Sequence, residues 1–166
     1  MSFFSVIITV YNKAECIKDT INSVLNQSYK DFEIIIINDG STDKSEDIIK
    51  TFNDQRINLI TTKNQGASKA RNIGIEKATA TYIALLDGDD TWEIDFHLIT
   101  SSSVVFDKSI ISKTGLFDPS IISGQDTDLW IRFGLHYKIL FINKQLVYYN
   151  FDATSLSNTT FNLSKK

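Results

Sequence analysis

The sequence predicts an α/β domain, a three-layer sandwich around a mostly parallel central sheet. Three observations carry that expectation. Strand-like and helix-like segments alternate over the first ninety residues, the pattern of crossover units in a parallel sheet. The second strand-like segment is an apolar run, as expected of a strand covered on both faces. Polar clusters follow three of the strand-like segments, at the edge where such sheets bind ligands.

The elements follow in order. Phe3 to Val10 is a short, apolar, β-branched run and reads as a strand. Ala14 to Gln27 places Ile17, Ile21, Val24 and Leu25 on one helical face. Phe32 to Ile37 is the second strand, and Ser41-Thr42-Asp43 offers caps for a helix carrying Ile48, Ile49 and Phe52. Ile57 to Thr61 is the third strand, Ser68 to Ala78 the third helix and Thr81 to Leu86 the fourth strand. The polar clusters are Thr9-Val10-Tyr11-Asn12, Asn38 to Asp43, and Asp87-Gly88-Asp89.

Composition narrows the class. The chain has 166 residues, 42% of them hydrophobic, and one proline, which fits one globular domain with a real core. Net charge is −3 from 17 basic and 20 acidic residues, so no basic excess points to nucleic acid. The single Cys16 excludes an intrachain disulfide, fits a reducing compartment and is expected as a small buried helix residue. No charged segment leads into an apolar one at the N-terminus, so no secretory signal is expected. No apolar stretch approaches about 18 residues, so no membrane span is expected either.

Two acidic motifs carry the chemistry. Leu86-Asp87-Gly88-Asp89-Asp90 ends the fourth strand, and Gln125-Asp126-Thr127-Asp128-Leu129-Trp130 follows later. Closely spaced carboxylates at a strand end suit a hard cation held against phosphate, since Mg²⁺-like ions bind one or two carboxylates plus substrate phosphates. A calcium loop is excluded from Asp87, where Trp92 and Leu98 stand in the places of Gly and Glu, and from Asp39, where Lys44 and Lys50 do. Each residue also has a plainer reading. Asp87-Gly88 alone is a common turn, Asp39 to Asp43 an Asx turn and cap, and Arg71 a solvated helix residue. Asp126 and Asp128 sit near a helix start, where acids favour the dipole in any case. Trp130, Ile131 and Phe133 are expected in the core, and His97 and His136 have no partners at metal-ligand spacing.

Four segments in order resemble the nucleotide-binding half of family 2 glycosyltransferases, inverting enzymes of the GT-A fold. They are Ser5 to Asn12, Ile37 to Asp43, Asn64 to Gly74, and Leu85 to Asp90. Thr114 to Asp118 and Gly124 to Arg132 are similar to the family's acceptor side. The resemblance implies one domain over 1–166: a nucleotide-sugar-binding half at 1–92, a shortened acceptor-side half at 93–150 and a tail at 151–166.

What the resemblance implies for the site is specific. Thr9, Tyr11, Asn12, Asp39, Arg71 and Asp87 would bind the nucleotide, with Asp39 accepting from the base and Asp87 on the ribose side. Asp89 would coordinate a divalent metal, Mn²⁺ or Mg²⁺, with Asp152 a further metal partner. Asp126 would be the catalytic base. The implied partners are a nucleotide sugar, a uridine diphosphate sugar first, and a glycan or lipid-linked acceptor. The implied setting is cell-envelope polysaccharide synthesis in the cytoplasm, with peripheral contact at the inner face of the membrane left open.

The departures are as definite. Only 36 residues separate Asp89 from Asp126, fewer than in the family pattern. Asn150 and Asp152 stand where the family often has Arg and His, and Gln125 stands where Glu is common. Two readings stay open on the sequence: an inverting, metal-assisted glycosyltransferase, or a degenerate module that binds nucleotide sugar without transfer.

Overall fold

A computed structural model of the chain describes residues 2–93, 104–140 and 147–148. The first ninety residues form the expected alternation: β1 (Phe4–Val10), α1 (Ile17–Leu25), β2 (Phe32–Asn38), α2 (Ser45–Lys50), β3 (Ile57–Thr61), α3 (Ala67–Lys77) and β4 (Tyr82–Asp87). After β4 come the two-residue strand β5 (Thr91–Trp92), β6 (Val105–Asp107), a 3₁₀ turn (Lys108–Ile110), α4 (Ile111–Thr114), α5 (Gln125–His136) and β7 (Val147–Tyr148).

The main sheet has the order β3-β2-β1-β4-β6. Its first four strands are parallel, and β6 runs antiparallel to β4 over Tyr82 to Ala84. β5 pairs separately with β7. The order places β1 and β4 side by side in the middle, so the loops after both strands open at one edge. There Gly88 N donates to Thr9 O at 3.0 Å and Asp39 N to Val10 O at 2.8 Å.

Strand alternation sorts the core into two layers. Val6, Ile8, Ile34, Ile36, Ala84 and Leu86 face α1 and α2, meeting Ile17, Ile21, Val24 and Ile49. Ile7, Ile35, Ile37, Ile83 and Leu85 face the other way, onto Ala70 and Ile75 of α3 and onto Phe106, Phe117, Leu129 and Phe133. Side chains of successive strand residues point to opposite faces, so one apolar run serves both layers. Burying each such Ile is worth about 1.5–3 kcal/mol. α3 docks onto β1 at Gly74, where a Cβ would collide with Ile7 Cγ2.

Two expectations need correction. Ile131 does not enter the core: it is 58% exposed, because α5 turns Leu129 and Phe133 inward instead. Cys16 is half-buried at the residue preceding α1 and not within it. The capping expectation holds: Asp43 caps the start of α2, accepting from Ser45 N at 2.9 Å. Asp152, Asn150 and His97 lie outside the described residues.

Candidate active site

The Asp87-Gly88-Asp89 turn divides its two carboxylates between opposite sides of the sheet edge. Gly88 makes this possible. Its N–H donates to Thr9 O, its carbonyl accepts from Thr20 Oγ1 of α1 at 3.1 Å, and a Cβ there would lie 2.8 Å from Thr9 O. No side chain fits between β4 and β1 at this point, so the turn is fixed from both flanks.

Asp87 faces α3. Arg71 Nη2 donates to Asp87 Oδ1 at 2.8 Å and Oδ2 at 3.1 Å, and Thr9 Oγ1 adds a 3.3 Å bond to Oδ1. Arg71 Nη1 lies 3.2 Å from Asp126 Oδ1 at the start of α5. One guanidinium therefore spans the end of the donor motif and the candidate base. Arg71 is buried, at 9% exposed, so it is not the solvated residue that its sequence also allowed. Burial works against its charge, but Asp87 and Asp126 outweigh that and hold it above the ordinary guanidinium range. Its guanidinium also lies 5.4 Å over the Phe117 ring.

Asp126 is displaced the other way. Burial pushes its carboxyl above the usual aspartate range; Arg71 opposes this, and the charge of Asp87 adds to it. The side chain keeps 42% of its surface in solvent, so it is open on the side away from Arg71. A carboxylate raised in this way is a better proton acceptor than an ordinary one. Asp128, two residues on, has a different task. Its Oδ2 accepts from Arg132 Nη2 at 2.6 Å and Nε at 3.1 Å. Arg132 also donates to the carbonyls of Thr114 and Leu116, tying α5 to the loop that carries Phe117.

Asp89 faces α1. Its Oδ2 meets Lys13 Nζ at 2.6 Å. Asp39 is buried, and its carboxylate accepts from Thr62 Oγ1 at 3.0 Å, from Gln65 N at 3.0 and 3.1 Å, and from Gly66 N at 2.8 Å. Asp39 thus shapes the loop into α3, a task absent from the sequence expectation. Asn12 takes a left-handed φ of 53° and accepts from Thr42 N at 2.7 Å, tying the loop after β1 to the loop after β2. Tyr11 is 45% exposed at the same edge.

The donor set can be tested against a divalent metal. Among the described residues no group of three or more His, Cys, Asp or Glu side chains comes together to hold one. One or two carboxylates suffice for an ion that arrives with a diphosphate. Asp89 fits that case.

Two residues here were given no role by the sequence, although Asn72 lies within the Asn64 to Gly74 segment. Lys13 follows a motif but belongs to none. Asn72 Nδ2 donates to Phe117 O at 2.9 Å while its Oδ1 accepts from Phe117 N at 3.0 Å. Only proximity in space reveals that two-way contact.

Comparison with known proteins identifies the family and the fold. Residues 5–98 match the model of glycosyl transferase family 2, more than half of the chain. An uncharacterized glycosyltransferase of Rickettsia bellii is 40% identical over 129 residues, 72% of this chain and 19% of the relative. The putative teichuronic acid biosynthesis glycosyltransferase TuaG of Bacillus subtilis is 44% identical over 94 residues, 55% of this chain and 37% of the relative. The chain therefore spans about a fifth to two fifths of the length of these relatives. Among solved structures, S. aureus TarS 1–349 in complex with UDP-GlcNAc superposes with a TM-score of 0.77 at 17% identity, covering 90% of this chain and 58% of that one. A mannosyltransferase of Pyrobaculum calidifontis, in complex with GDP-Man and Mn²⁺, gives 0.71 at 15% identity, covering 82% and 53%. These neighbours share the GT-A fold that the sequence predicts.

Proposed function

The chain belongs to glycosyl transferase family 2, and on that premise we propose that it transfers a sugar with inversion from a nucleotide diphosphate donor to a glycan or lipid-linked acceptor. The observation that carries this reading is the Arg71 fork, with Nη2 on Asp87 and Nη1 on Asp126. It brings the segment after the shortened stretch back against the donor motif.

The roles follow from position. Tyr11 offers an exposed ring to the base at the end of β1. Asp39, with three donors already on its carboxylate, supports the base pocket chiefly by holding the 62–66 loop. Asp87, oriented by Arg71 and Thr9, presents its remaining lone pairs to the ribose. Asn12 shapes the nucleotide edge through its backbone turn. Asp126 takes the proton from the acceptor hydroxyl as that oxygen attacks the anomeric carbon. A divalent cation bound through Asp89 supplies positive charge to the departing diphosphate. Single displacement needs base and leaving group on opposite sides of the sugar, and on this reading Asp126, paired with Arg71, and Asp89, paired with Lys13, supply those two sides.

Support for a uridine donor comes from neighbours in complex with UDP-GlcNAc and UDP, beside one in complex with GDP-Man. The likeness to a putative teichuronic acid biosynthesis enzyme supports polysaccharide synthesis as the setting. No described helix is long and apolar enough to cross a membrane. Calorimetry with uridine and guanosine diphosphates, each with and without Mn²⁺, tests the donor. Uridine diphosphate binds more tightly on this reading. A guanosine preference removes the base assignment, and no binding of either removes the donor site. Donor binding without transfer to any acceptor identifies a degenerate module.

A further inference from the structure

Asp89 is already engaged by a cation of the protein's own. Lys13 Nζ lies 2.6 Å from its Oδ2, with the two side chains 18% and 16% exposed. The backbone that carries this ammonium is fixed. Three consecutive N–H groups are tied down from the loop before α2 and from its first residue: Asn12 donates to Ser41 Oγ at 3.0 Å, Lys13 to Ser45 Oγ at 2.8 Å and Ala14 to Asp43 Oδ2 at 3.0 Å. Asp43 is itself held by Ser45, whose hydroxyl donates to Oδ1 at 2.5 Å. Across the gap, Gly88 is pinned to β1 and α1, which fixes the turn carrying Asp89. Ser41, Asp43 and Ser45 thus converge on the 12–14 segment, and that segment brings the Lys13 ammonium to Asp89.

We propose that Lys13 stands in the divalent-cation position at Asp89, so that the site accepts a metal ion only once a nucleotide diphosphate has drawn the ammonium away and become its new partner. The inference rests on the donor-site reading above. A hard cation binds a carboxylate oxygen at about 2.0–2.2 Å, within a few ångströms of the ammonium seen here. Two cations cannot share one carboxylate at that range without added negative charge, because their repulsion grows as the inverse of distance in a partly desolvated site. A diphosphate brings that charge. The lysine suits the exchange, being a compact charge on a flexible four-carbon stem. Lys13 is then a diphosphate ligand in the loaded state and a metal substitute in the free one.

The test titrates Mn²⁺ alone into the whole chain, in the absence of any nucleotide, by electron paramagnetic resonance and calorimetry. Lys13→Met is expected to bind Mn²⁺ about tenfold or more tightly than wild type, the scale of removing a like charge a few ångströms away. Adding Asp89→Asn to Lys13→Met should abolish that gain. Lys13→Arg, which keeps the charge, should behave as wild type. Lys13→Gln provides the same comparison should Lys13→Met not fold. Equal Mn²⁺ affinity in wild type and the neutral variants, including no binding by either, overturns the proposal. Failure of wild type to bind uridine diphosphate removes the donor reading but leaves the Mn²⁺ comparison intact, so the two failures are told apart.

Discussion

In the first half of the chain Ile7, Ile8, Ile34, Ile35, Ile36 and Ile37 are at 0% exposure, whereas in residues 104–140 Ile122, Leu135, Ile139 and Leu140 lie between 65 and 87% exposed. The first half is held by apolar burial around four parallel strands. The second contributes Phe106, Phe117, Leu129 and Phe133 to one face of that core. Leu116 and Trp130 pack beside them, and directional contacts complete the attachment: the three-residue pairing of β6 with β4, the Asn72–Phe117 exchange and the Arg71–Asp126 pair. The contrast separates two jobs. The candidate donor residues rest on the strand core, while the candidate base is held by that shared apolar face together with a few polar latches. Damage to a latch should therefore cost catalysis before it costs the fold.

The largest expected effect is at the base. Asp126→Asn should lower transfer by about 10²–10⁴-fold, the usual worth of a positioned general base, and leave uridine diphosphate affinity within error of wild type. The pH profile sharpens this. Asp126 must be deprotonated to act, and burial raises its pKa above the ordinary aspartate value. Activity should accordingly fall, as pH is lowered, earlier than an unperturbed aspartate would dictate. Arg71 opposes that rise, so Arg71→Gln should move the acid limb to still higher pH. An unmoved limb would remove the Arg71–Asp126 pair from the mechanism.

Next comes the donor half. Asp39→Ala leaves the Thr62, Gln65 and Gly66 donors without their buried acceptor. It should destabilise the fold by about 3 kcal/mol, the scale of hydrogen bonds to a charged group, measured by urea unfolding. A variant with wild-type stability but lost nucleotide affinity would instead make Asp39 a pure ligand.

The smallest effect is the most selective. Asn72→Ala removes both bonds to Phe117 and should cost about 1–2 kcal/mol at roughly 1 kcal/mol per bond. Hydrogen exchange should speed over residues 105–136 and stay unchanged over β1 to β4. Uniform acceleration would mean that the two halves unfold as one unit, and the contrast drawn above would not hold.

The sequence made the first half legible because two periodicities repeat there without interruption. Strand bounds fall within a residue of expectation at β1, β2, β3 and β4, since apolar runs set them directly. The second half offers no such period. β6 has three residues, Val105 to Asp107, too few to show alternation. In α5, Leu129, Trp130, Ile131 and Phe133 form an apolar stretch with one too many candidates for one helical face, and Ile131 is the one left outside. Acidic motifs marked Asp87, Asp89 and Asp126, but not the cations that face them. Arg71 was legible only through the resemblance and Lys13 not at all. A lone basic side chain has no partner written into its own neighbourhood; Lys13 finds Asp89 across 75 intervening residues.

Gly74 carries a consequence beyond packing. It lies three residues after Arg71 on α3, so both occupy one face of the helix. The absence of a side chain there lets α3 rest directly on Ile7 of β1, and that resting height determines how far Arg71 reaches over the sheet edge. A methyl group at position 74 would act as a shim. Lifting the helix by even a fraction of an ångström would lengthen both arms of the fork at once, from Asp87 and from Asp126. The spacing of the Arg71 fork is thus machined into a contact deep in the molecule, far from the sheet edge where its effect would be felt.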